Sequence, residues 1–169
     1  SRNTFKKDIE KVNSIKKLIK SGPIISFKFT NTKFENVVGY FGNILGIDEL
    51  AGKDLFIVGT PHLHESTYFL FAMALNIPFD MKKDKLTNAI MSYNGIEFYF
   101  YSYHTNPELQ IIQISLVYSE LIQAIGRPRL LRNKCTVIVY SSLPIPGAIF
   151  INNFDEMVDY YIDEGVACN

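Results

Sequence analysis

Gln123-Ala124-Ile125-Gly126-Arg127-Pro128-Arg129-Leu130-Leu131-Arg132 places three arginines within six residues, where a helical pattern breaks before an apolar run. Upstream, Asn106 suits an N-cap and Pro107 the first helical position, where a missing N–H costs nothing. Ile112, Leu116 and Val117 fall on one apolar stripe, which predicts a helix to about Gly126. Downstream, the β-branched run Cys135–Tyr140 predicts a strand. Gly126 and Pro128 are expected to end the helix and leave the arginines on a short exposed turn. Gln123 and Arg127 share a face if the helix persists that far, with Glu120 one turn earlier. A helix running through a turn into a strand is the repeating unit of an α/β layer fold.

The flanking sequence extends that pattern. Phe5, Ile9, Val12, Ile15 and Ile19 recur at helical spacing and stop at Ser21-Gly22-Pro23. Short strands are predicted at Ile24–Phe29, Asn36–Phe41 and Asp54–Val58, then a helix over Ser66–Leu75. Asn94-Gly95 is a strong type I′ hairpin signal, flanked by Ala89–Tyr93 and Ile96–Tyr103. Phe98, Tyr99, Phe100, Tyr101 and Tyr103 make this hairpin apolar on both faces, so it is expected to be covered on both sides. A last acidic helix is predicted at Asp155–Ile162. The expected architecture is a mostly parallel sheet with helices and a hairpin appended at about 89–103.

At 169 residues and 47% hydrophobic content, the chain can build one core and is too short for two ordinary domains, so residues 1–169 are read as a single domain. No apolar run reaches the length of a membrane span and no signal peptide is evident, which predicts no membrane association and a cytoplasmic location. Cys135 and Cys168 form no CxxC pair and are expected to be reduced thiols. The formal net charge is zero but unevenly spread. Residues 1–28 hold eight Lys or Arg, while the stretch from Phe154 onward holds five Asp or Glu and no Lys or Arg. That asymmetry fits either a backbone-binding face or two solvated helix surfaces of opposite sign.

The arginine turn has the chemistry of a phosphate site. Guanidinium stays charged at any relevant pH and offers a planar fork of donors. A polar cluster at the edge of a parallel sheet is also where α/β folds tend to place ligands. The plainer alternative is a basic turn that solubilises a helix end or complements its dipole.

The stretch resembles the sixth conserved motif of superfamily-two helicases, which reads Gln, two residues, Gly-Arg, then a further Arg. The resemblance implies a RecA-like three-layer sandwich, specifically the second, C-terminal motor domain. It implies that Gln123 and Arg127, beside Gly126, face the γ-phosphate of ATP across a cleft. Arg127 matches residue for residue. The family's last arginine falls at Leu130, leaving Arg129 and Arg132 as alternatives for the second finger. Gly46 and Asp48 resemble the fifth motif, which couples ATP state to nucleic-acid contact; Leu45 stands where an arginine is common. Ile25–Phe29 resembles the fourth motif, near the nucleic-acid strand. By this resemblance Lys28, Asn43 and Thr60, on nearby loops, contact the backbone of DNA or RNA.

A competent motor also needs a Gly-rich loop ending in Gly-Lys-Ser/Thr and an acidic pair for Mg²⁺, and neither is present. Gly46…Gly52-Lys53-Asp54 only imitates the loop, with glycines one residue too far apart and Asp in place of the hydroxyl residue. The chain is therefore expected to be non-catalytic alone. It would share ATP and Mg²⁺ with an N-terminal RecA-like domain of the same polypeptide. His62-x-His64 lacks further ligands at metal spacing, so no metal site is predicted. His104 is expected to be a loop residue. The aromatics of 98–103 are expected in the core, with base stacking as the alternative.

Overall fold

The computed structural model describes residues 22–28, 34–44, 48–93 and 95–151, together with residues 13 and 16. The helices predicted at Phe5–Ile19 and Asp155–Ile162, and Leu45, Gly46 and Cys168, lie outside the described residues or nearly so. Four short strands form one parallel sheet: β1 (Ile24–Ser26), β2 (Val37–Tyr40), β3 (Leu55–Val58) and β6 (Val137–Tyr140), in the order β2-β1-β3-β6. A separate antiparallel pair, β4 (Thr87–Tyr93) and β5 (Ile96–Ser102), is the predicted hairpin, with Gly95 at φ 79° in its turn. The helices are α1 (Glu65–Ala74) and α2 (Pro107–Ile125). Neither is long and apolar enough to cross a membrane.

Side-chain alternation splits the sheet into two apolar faces. On one face Ile25, Leu55 and Ile57 meet Val117, Leu121 and Ala124 of α2, with Phe100 of the hairpin, Leu143 and Ile145. On the other, Ile24, Phe56 and Val58 cluster with Phe34, and Val37, Ile138 and Tyr140 pack against them. β1 and β3 are buried throughout, as parallel strands flanked on both faces require. A further cluster joins α1 to α2 through Tyr68, Phe69, Ala72, Leu109 and Ile112, and takes in Tyr103. Asn106 caps α2 as its sequence predicts, its side chain accepting the Leu109 N–H at 3.1 Å.

The hairpin departs from expectation. Phe98 and Phe100 turn inward, Phe100 fully, whereas Ile90, Tyr99 and Tyr101 of the opposite face are exposed at 61%, 72% and 40%. It is therefore covered on one side only, because α2 and the sheet occupy a single face. Gln113 of α2, wholly buried, holds it there. Its amide donates to the Tyr101 carbonyl at 2.6 Å, and its carbonyl accepts from Ser102 Oγ and the Tyr103 N–H.

Gly59, directly after β3, has φ 115°, and a Cβ there would overlap the Phe27 ring. Both constraints demand glycine. Gly59→Ala is expected to lower stability by at least about 3 kcal/mol, since strain and overpacking add. Urea unfolding measures this, and an unchanged midpoint would refute the close packing of Phe27 on Gly59.

Candidate phosphate-facing turn

α2 ends at Ile125, two residues before Arg127, so Gln123 and Arg127 do not share a continuous α-helical face. The chain goes on in a tighter turn, with the Arg127 N–H donating to the Ala124 carbonyl at 3.1 Å. Gly126 keeps an ordinary right-handed φ of −72°. The reversal falls instead on Arg129, at φ 58°, a conformation that costs a side-chain-bearing residue roughly 1–2 kcal/mol.

Neighbours fix that conformation. The Arg129 N–H donates to the Gly126 carbonyl, and the Arg129 carbonyl accepts from the Arg132 and Asn133 N–H groups. Asn133 Nδ2 donates to the carbonyls of Pro128 and Arg129 at 3.2 and 3.4 Å. From the preceding loop, the Gly52 N–H donates to the same Pro128 carbonyl at 2.9 Å. The Cys135 thiol, half-buried, points at Pro128 too; burial first and the Asp54 carboxylate second push its pKa up, which keeps it a protonated donor. Seven hydrogen bonds, counting that of the thiol, thus support a strained residue in a charged turn.

Arg127 is half-buried, and its buried Nε has no hydrogen-bond partner among the described residues. An orphaned donor of this kind costs about 1–3 kcal/mol, so it calls for a partner. Gln123, Arg129 and Arg132 are exposed. Among the described residues the one ion pair is Lys83–Asp80 at 3.8 Å. Neither Arg127 nor Arg132 is neutralised by a described carboxylate.

Topology separates this turn from the other residues singled out. The strands run parallel, so Lys28, Asn43 and Thr60, which follow β1, β2 and β3, gather at the carboxyl edge of three adjacent strands. The arginine turn leads into β6, and so lies toward the amino edge. The preference of ligands for strand carboxyl ends therefore applies to the first group and not to the arginines, which corrects the sequence argument. Four-residue strands put about 13 Å between the edges. A bridge exists: Glu120 of α2 accepts the N–H of Gly42, the residue before Asn43, at 2.9 Å. Glu120 stands seven residues, or about 10 Å of helix, from Arg127.

Within the carboxyl-edge group, Lys28 and Asn43 are exposed. Thr60 is buried, and its hydroxyl meets Ser141 and Ser142 Oγ at 3.1 and 2.9 Å and accepts the Ser142 N–H. It ties the end of β3 to the end of β6 and does not face solvent. Gly46 lies outside the described residues; Asp48 opens a short 3₁₀ turn, Asp48–Leu50.

The histidines serve other ends. His64 caps α1, its Nδ1 accepting the Ser66 N–H. His62 packs 5.0 Å from the Phe100 ring, and the His104 Nδ1 lies 2.8 Å from Thr87 Oγ1. Among the described residues no group of three or more His, Cys, Asp and Glu could hold a metal ion. Sequence reading set Lys53 aside as part of an imitation phosphate loop; its proximity to the turn arises from the long-range Gly52–Pro128 bond.

A Cβ on Gly126 would lie 3.4 Å from the Ile122 carbonyl oxygen, an ordinary contact, and φ there is normal. The fold does not need this glycine. Gly126→Ala is expected to leave stability unchanged or raise it by about 0.4–1 kcal/mol, as thermal or urea unfolding will read; a clear loss would place the requirement in the fold. No protein-family model, curated protein or solved structure matches this chain.

Proposed function

We propose that this chain is the second, C-terminal motor half of a superfamily-two helicase or translocase. In this reading it has a RecA-like layer fold and acts on DNA or RNA with an N-terminal RecA-like domain of the same polypeptide. The observation that carries the reading is the Arg127 Nε, buried without a partner on a turn held rigid from both sides. In this reading a phosphate oxygen is the acceptor for the Arg127 guanidinium.

ATP with Mg²⁺, as the resemblance implies, fits these residues in part. Gln123, Arg127 and one of Arg129 or Arg132 suit the γ-phosphate, where an arginine stabilises charge developing during transfer. Gly126, free of any packing demand, lets the backbone approach the nucleotide. The metal would be held by the N-terminal domain. Lys28 and Asn43 suit a nucleic-acid backbone at the carboxyl edge, and the resemblance gives Gly46 and Asp48 the coupling of nucleotide state to that contact. Thr60 supports that edge from beneath. Glu120, bonded to Gly42, mechanically joins the two groups. Arg127→Ala in the full-length polypeptide is expected to cut nucleic-acid-stimulated ATP hydrolysis about 10³-fold or more. Activity that survives unchanged would sink the finger assignment.

The outward face of the hairpin favours a second reading, a nucleic-acid-binding domain that is not part of a working motor. Tyr99 and Tyr101 are exposed there, and an aromatic side chain stacking on a base contributes about 1–3 kcal/mol. Under this reading Tyr99→Ala with Tyr101→Ala weakens single-strand binding by about tenfold or more, while Arg127→Ala leaves it intact; fluorescence anisotropy with an oligonucleotide separates the two.

A further inference from the structure

Lys53 stands next to Gly52, whose N–H is bonded to the Pro128 carbonyl in the middle of the arginine turn. The loop that presents it is closed by two features: the Lys53 N–H donates to the Leu50 carbonyl at 3.0 Å, and Gly52 takes a positive φ of 76°. A Cβ on Gly52 would lie 3.6 Å from Asn133, the residue before Lys134. Arg127, Arg129 and Arg132 on one segment, Lys134 beyond them and Lys53 on the other therefore all lie within a few residues of one backbone contact. With consecutive Cα atoms 3.8 Å apart, side chains of this length are within reach of a common surface.

The nearby carboxylates of Asp54 and Glu49 offset the five cations of these two segments only in part. Asp54 is engaged at the entry to the sheet, where its Oδ1 accepts the Thr136 N–H at 2.7 Å. Glu49 is exposed on the preceding turn and forms no ion pair with a described residue. Lys53, Arg132 and Lys134 are exposed and likewise have no carboxylate partner among the described residues.

We propose that Lys53 is a further phosphate-binding residue beside the arginine turn, its ammonium meeting the same phosphate chain as the Arg127 guanidinium. The assignment of those phosphates to a nucleotide rests on the motor reading above; the shared anion surface does not. An ammonium acts as a mobile point charge and the guanidinium as a fixed fork, so the pair would hold successive phosphates rather than one oxygen.

The test uses the chain itself, with inorganic tripolyphosphate as probe and titration calorimetry as readout. Lys53→Gln and Arg127→Gln should each weaken binding about tenfold, the loss of one charge-assisted contact. Lys53→Arg should restore most of it, and Lys82→Gln, at the base of the hairpin, should match the parent chain. Binding that falls with Arg127→Gln alone overturns the role of Lys53 while leaving the motor reading intact. No measurable tripolyphosphate binding by the parent chain overturns the proposal outright. A parallel titration with a single-stranded oligonucleotide separates the two sources of phosphate. If Lys53→Gln weakens only that complex, the surface takes a phosphodiester backbone and the nucleotide assignment falls. Failure of the motor reading is read elsewhere, in the ATPase of the full-length Arg127→Ala polypeptide.

Discussion

Burial of one stripe of α2 against one face of the sheet organises everything else in this chain. Val117, Leu121 and Ala124 are fully buried against Ile25, Leu55 and Ile57. Each large aliphatic side chain in that interface contributes about 1.5–3 kcal/mol, which outweighs any single polar contact in the charged turn. The same helix carries Gln113, which clamps the hairpin, and Glu120, which holds the loop after β2. It ends where the arginines begin. Its docking therefore sets the position of three separate functional candidates at once.

That arrangement explains how the turn can carry strain. A left-handed arginine and an orphaned guanidinium N–H are both unfavourable in isolation. They persist because the turn is bonded from within by Asn133 and from outside by Gly52, between a docked helix and a paired strand. A cation held in place before its anion arrives loses little on binding, which is the physical content of preorganisation.

Much of the element order was readable from residue patterns. β-branched runs marked β1, β3 and β6, Asn106-Pro107 marked the start of α2, and Asn94-Gly95 marked the hairpin. Errors came where a local pattern was asked a tertiary question. The aromatics of β5 read as apolar on both faces, but nothing in the sequence says that neighbours are available for only one. The helix does end at Gly126 as its sequence predicts, but the left-handed reversal falls on Arg129, held by hydrogen bonds from Asn133 that no local pattern announces. Thr60, which the resemblance makes a nucleic-acid contact, is buried because Ser141 and Ser142, some eighty residues away, are brought onto it.

The sequence by itself determined the α/β alternation, the capped helix leading into a charged turn, and Arg127 as the residue to watch. These follow from local spacing, because helix caps, strand propensity and hairpin turns are decided within a few residues. Tertiary structure alone put the arginines at the amino edge of the sheet, buried the Arg127 Nε without a partner among the described residues, and bonded the loop that carries Lys53 to their turn. Those depend on strand order and on one hydrogen bond between Gly52 and Pro128, across a separation no local pattern encodes.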